Sequence, residues 1–201
     1  AVSSEDGLAH VAWTRRYLDN SGFFQQTVSY TTIDSSCLMT PVQDIMEPIL
    51  LSEGKYWGIG MDIDGPEILL AGYHHKLNTG SSNENTAVFM AMSESPTKST
   101  DWIINPQVVG GLDVVSGGTD PVAVGIGEED GHILYQDTRN DTTGLDRLGL
   151  WYSHGLPEQT SWSYRKAVGD YAFAPVISVS EISDEDVIVA SWGEGYDQSS
   201  E

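Results

Sequence analysis

A serine, a threonine and a tryptophan recur in this chain at identical spacing, 60 residues apart. The run Val88-Phe89-Met90-Ala91-Met92 ends at Ser93, with Thr100 and Trp102 downstream. The run Leu148-Gly149-Leu150-Trp151-Tyr152 ends at Ser153, with Thr160 and Trp162 in the same places. A fixed long period of this kind signals a repeated supersecondary unit that buries its apolar surface against copies of itself.

The strand before each run repeats as well. His132-Ile133-Leu134-Tyr135 matches Glu67-Ile68-Leu69-Leu70 and His10-Val11-Ala12-Trp13, and Asp186-Val187-Ile188-Val189 is a fourth copy. The successive offsets are 57, 65 and 54 residues. The polar insertion Asn78–Asn85 accounts for the long interval and reads as a longer loop. A further strand precedes the later copies, at Pro121–Val124 and Pro175–Ser178. Acidic turns fill the gaps, at Asp62-Ile63-Asp64-Gly65, Glu128-Glu129-Asp130-Gly131 and Ser183-Asp184-Glu185-Asp186. Asp-Gly between apolar runs is a hairpin signal, because glycine takes positive φ without steric cost.

Each unit therefore reads as strand, acidic turn, strand, variable loop, strand, turn and a Trp-bearing strand. Four short strands per unit predict an all-β chain of β-propeller blades, each of four antiparallel strands, about three per chain. No run shows sustained helical periodicity, and the only stretch with a helical reading is a single turn over Tyr164–Tyr171. The units fall at about 8–60, 61–125 and 126–192, in one domain spanning 1–201. Three units do not close a ring. Three resolutions stand open: a homodimer that completes a six-bladed ring, association with the other half of a longer propeller, or a further blade hidden in the first 60 residues.

Composition narrows the partners. With 30 Asp and Glu against 9 Lys and Arg, the net charge of -21 repels phosphate backbones and anionic bilayers. Neither nucleic acid nor a membrane is an expected partner. The sole cysteine, Cys37, excludes an intrachain disulfide and is expected in the core. The first residue is Ala1, in keeping with a processed or trimmed N-terminus, and Asn140-Asp141-Thr142 is a glycosylation sequon. A secreted or extracellular protein is the expectation.

The segments GHILYQDTRND and LGLWYSHGLPEQTSW resemble the blades of fungal fucose-specific lectins and of sialidase-type propellers. The likeness runs over roughly residues 55–192. It implies carbohydrate binding at sites between blades. A fainter resemblance, through DPVAVGIGEEDG, is to propeller glycosidases that place an acid near the start of an inner strand, and Asp120 is the matching residue. Some fungal pericyclases are also similar to lectin propellers. The resulting alternative is an enzyme in the central pocket, glycoside hydrolase- or lyase-like or a biosynthetic cyclase.

Sugars are held by aromatic faces together with fork-shaped polar groups. Such sets recur at equivalent places: Trp13, Arg15, Arg16 and Tyr17 in the first unit, Tyr73, His74, His75 and Trp102 in the second, and Tyr135, Gln136, Asp137, Arg139, Trp151, Tyr152 and Trp162 in the third. Arg15, Tyr73, His75, Gln136, Arg139, Trp151 and Tyr152 are the expected ligand contacts. Adjacent strand residues point to opposite faces, so only one of Arg15 and Arg16 enters a given site. Trp151 and Tyr152 likewise divide between core and solvent. Trp102 and Trp162 read as plugs between strands. For an enzyme, Asp120 and Asp137 are the candidate acids. No metal is expected: His74 and His75 point apart, and the Asp62-Asp64-Gly65 turn lacks the later ligands of a calcium loop. No cofactor motif is present.

Overall fold

The computed structural model describes residues 7–76, 85–112, 122–128, 130–137, 149–170, 172–181 and 186–194. Their backbone is almost entirely extended, with one 3-10 turn at Ser99–Asp101. The first sheet holds β1 (Ala9–Leu18), β2 (Phe24–Ile33), and the short β3 (Gln43–Asp44) and β4 (Ile49–Leu50), which both pair with β2. The second runs β5 (Gly54–Asp64), β6 (Glu67–Lys76), β7 (Asn85–Ser93), β8 (Ile103–Leu112) in order. The third runs β9 (Ala123–Ile126), β10 (Gly131–Asp137), β11 (Gly149–Gly155), β12 (Ser163–Asp170). The fourth is the hairpin of β13 (Ala172–Glu181) and β14 (Asp186–Glu194). Every pairing is antiparallel.

The sheets stack face to face in chain order. Tyr30 and Ala12 of the first pack with Ile68, Leu70, Ala91 and Trp102 of the second. Leu69, Tyr73, Val88 and Met90 of the second pack with Val124, Ile133, Tyr135 and Trp162 of the third. Leu134, Leu150 and Tyr152 of the third pack with Ala172 and Ile177 of the fourth. Alternate side chains of one strand thus feed two cores. The second and third sheets are covered on both faces, so β6 and β10 are buried along most of their length, with Ile68–Ala71 and Ile133–Tyr135 as their apolar runs. This is the all-β arrangement of propeller blades that the repeat predicts.

The strand order within a sheet follows the predicted unit, with Gly65 (φ +53°) turning the β5–β6 hairpin. The phase differs. The second sheet spans 54–112, so it starts one strand before the expected unit at 61–125. The turn marked by Asp62 to Gly65 lies inside a blade, and the link after the Trp-bearing strand lies between blades.

Three expectations are corrected. Tyr164 to Asp170 lies in β12 rather than a helical turn, because that strand pairs with β11 through two register shifts. Cys37 is exposed, at φ +60° in the β2–β3 loop, since the neighbouring Leu38 and Met39 are exposed as well. Trp151 and Tyr152 divide between two cores rather than between core and solvent: Trp151, partly buried, packs toward the second sheet and Tyr152 toward the fourth.

Candidate functional site

Tyr73, His75, Gln136, Asp137 and Trp151 gather where β6 and β10 end and β11 begins. They lie in or beside the seam between the second and third sheets. The Tyr73 hydroxyl donates to the Gln136 carbonyl at 3.2 Å and accepts from the Gln136 amide at 2.8 Å. Its ring stacks on Trp57 with centroids 5.3 Å apart. The Gln136 side-chain amide donates to the Ala172 carbonyl at 3.1 Å, reaching the fourth sheet. His75 is joined to the Thr86 hydroxyl at 3.0 Å, while His74 stacks on Tyr56. Asp137 is fully buried. Tyr73 and Gln136 thus spend their polar groups on joining sheets, and His75 bonds within the second sheet, as buried polar groups must find partners. Asp120 and Arg139 lie outside the described residues, as does the Asn140 sequon.

Arg15 sits apart, on the free face of the first sheet. It is paired with Asp44 at 2.5 Å and lies over the Tyr17 ring at 5.2 Å. Its Nε–H has no partner among the described residues. Arg16, on the opposite face of β1, is exposed. Trp102 and Trp162 are buried, donating to Gln43 Oε1 and the Leu156 carbonyl respectively.

A His–Tyr pair, of which only Tyr152 was among the expected contacts, recurs from one blade to another. His10 Nδ1 meets the Tyr30 hydroxyl at 2.5 Å, and His132 Nδ1 meets the Tyr152 hydroxyl at 2.7 Å. The registers Ala12↔Tyr30 and Leu134↔Tyr152 show that the two pairs occupy one blade position. The sequence carried half of this signal, the alignment of His10 with His132. The tyrosines lie one residue before Thr31 and Ser153, equivalent places that the Ser-Thr-Trp pattern alone does not link. Around His132 the seam is closed. Its Nε2 meets Asp186 at 3.1 Å, and Tyr152 and His154 stack beside it. Burial pushes the Tyr152 hydroxyl up to about 12.

Around His10 the seam is open. A cleft of about 540 Å3 lies between the first and second sheets. Its walls include Thr32, Thr40 and Gln43 on one side and Pro66, Glu94 and Thr97 on the other, with Tyr30 beneath. A second cleft, of about 550 Å3, lies between the second and third sheets, lined by Met92, Glu94, Ser95, Asp101, Pro157 and Glu158 among others. Both open at the end of the sheets that carries the β5–β6 and β7–β8 turns. The expected ligand residues of the second and third sheets lie at the opposite end, where the variable loops leave.

A third cleft, of about 390 Å3, opens at that same turn end between the leading strands β5, β9 and β13. Asp62, Asp64, Ser178 and Ser180 line it. Burial raises the Asp62 carboxyl above its ordinary range, opposed by the Ile126 amide that donates to Oδ2 at 3.0 Å. Alternate strand residues share a face, so Asp62 and Asp64 stand roughly 7 Å apart at Cα, two strand steps. Among the described residues no group of three or more His, Cys, Asp or Glu could hold a metal ion.

No protein-family profile matches the sequence, and no curated protein does. Among solved structures the chain is similar to the α-L-arabinofuranosidase Arb93A of Fusarium graminearum in complex with an iminosugar inhibitor. The TM-score is 0.55 at 10% identity, over 90% of this chain and 53% of that one. A point variant of the same enzyme with an iminosugar inhibitor matches at a TM-score of 0.52 and 9% identity, with the same coverage. Identity this low speaks to fold alone. The chain spans about half the length of these structures, and with its four-stranded sheets stacked face to face its fold is that of a β-propeller.

Proposed function

We propose that this chain binds carbohydrate in the clefts between neighbouring blades. The observation that carries the reading is the open seam over His10 and Tyr30. It offers hydroxyl, amide and carboxylate groups from two sheets beside the apolar faces of Pro41, Pro66 and Pro96. A sugar ring presents the complementary surface, with C–H patches for the prolines and hydroxyls for the polar walls. The similar structures are glycosidases complexed with iminosugars, which agrees with a sugar ligand. Association of two copies belongs to the same proposal. The chain covers 53% of the matched structures, and the outer face of the fourth sheet leaves Phe173, Val176, Val187 and Val189 exposed. An extracellular setting fits such a ligand.

A broad glycan array tests this. The wild-type chain binds one sugar class, and Ser95→Trp, which fills the cleft from an exposed turn, abolishes binding without lowering the melting temperature. Binding that survives Ser95→Trp but is lost in Arg139→Ala would move the site to the variable-loop end. No binding to any glycan overturns the reading.

A second reading is favoured by Asp62. A half-buried carboxyl with a raised pKa, two residues from a second acid in a cleft of leading strands, has the makings of a general acid beside a carboxylate. Turnover of aryl glycosides, lost in Asp62→Asn, would support an enzyme in this cleft in place of the earlier candidates Asp120 and Asp137.

A further inference from the structure

We propose that the first two clefts are consecutive subsites for one chain of amino sugars, with Glu94 reading their ammonium groups from the wall the clefts share. This rests on the reading of the clefts as sugar sites. The turn Glu94-Ser95-Pro96-Thr97 joins β7 to β8, and Glu94, Ser95 and Thr97 line both clefts. A ligand longer than one cleft crosses this turn to reach the other.

The charge of the walls selects the class. Among the described residues the ionisable side chains lining the two clefts are Glu94, Asp101, Glu158, His10 and Tyr30, with no lysine or arginine. Asp101 is already committed. Its Oδ2 takes the Thr97 hydroxyl at 2.7 Å and the amides of Thr97 and Lys98, and its Oδ1 lies 3.7 Å from Lys98 Nζ. Glu94 and Glu158 are exposed and make no hydrogen bond or ion pair among the described residues. The negative field is felt nearby. Burial raises the Glu67 carboxyl, and repulsion from Glu94 and then Asp64 raises it further. A uronic or sialic acid would meet this field unfavourably. A protonated amine would relieve it, and a chain of them would be read at more than one place.

Titration calorimetry at about pH 5, where the amino groups of glucosamine are protonated and exposed carboxylates are still mostly ionised, separates the possibilities. The probes are a glucosamine disaccharide, a glucosamine pentasaccharide and the fully N-acetylated pentasaccharide. The glucosamine pentasaccharide should bind at least tenfold tighter than the disaccharide and than its N-acetylated counterpart. Glu94→Gln should weaken the pentasaccharide by about fivefold, as expected for one exposed charge pair, and Glu158→Gln similarly. Added salt should erase the difference between the two pentasaccharides. Equal binding of charged and N-acetylated pentasaccharides, or no dependence on length, overturns the inference and leaves sugar binding standing. No binding of any of the three, with a silent glycan array, removes both.

Discussion

At the residue scale, the seams between blades are held by a few buried polar groups whose loss is expensive. His132 is the clearest. It lies between the Tyr152 hydroxyl and Asp186, with His154 stacked beside it and Asp130 bonded to His154 at 3.0 Å. Burial lowers its pKa below 6.5, against the opposing pull of Asp186. A base with a depressed pKa favours the neutral form in the fold. Its contribution is therefore complete above 6.5 and is lost as pH falls from 6.5 through the folded value, because the unfolded chain takes up the proton first. Thermal melts from pH 8 to pH 5 should show a fall in midpoint that is smaller in His132→Gln. Equal pH dependence in the two proteins would refute it.

At the element scale, neighbouring blades approach closely along their leading strands. The Val122 amide donates to the Gly58 carbonyl at 2.9 Å, and a Cβ added at Gly60 would stand 1.8 Å from the Val122 carbonyl oxygen. That partner is backbone and cannot swing away. Gly60→Ala should destabilise the chain by about 3 kcal/mol, the upper end for an overpacked site, read from urea midpoints. Gly22→Ala measures backbone strain alone, since a Cβ there meets nothing within 4 Å while its φ of +82° costs about 1 to 2 kcal/mol; Gly60→Ala should exceed it.

The strands themselves were legible in the sequence. The recurrence of Ser93 with Ser153 and of Trp102 with Trp162 placed equivalent strands correctly, because a repeat must present the same residues to the same neighbours. The blade boundaries were not legible. The Asp62–Gly65 hairpin was read as a turn within a unit, yet links between blades carry similar Gly- and Asp-rich chemistry, so only hydrogen bonding shows where one sheet ends and the next begins. The site was harder still. Tyr73 and Gln136 carry the residue types a sugar site uses, yet here their polar atoms join sheets. Residue type does not reveal which seam closes, as at His132, and which stays open, as at His10.

At the scale of the whole molecule, the two ends of the stack differ from its middle. The outer face of the fourth sheet shows alternating apolar side chains, with Val189 65% and Val176 60% exposed. Interior blades bury such residues on both faces. If a second copy covers this face, light scattering after size exclusion should give twice the 21.9 kDa chain mass, and Val189→Asp should return the monomer. A wild-type particle of one chain mass would sink the pairing.

The stacking order also sets how the molecule bears load. Among the described residues the fourth sheet is a single hairpin, with β14 bonded along one edge to β13. Tension applied at the end of β14 therefore strains the bonds to β13 one at a time, as a zipper opens, rather than all at once in shear. The hairpin should part at low force. The third sheet, sewn to the second by backbone and by Tyr73, would resist until a sharper rupture.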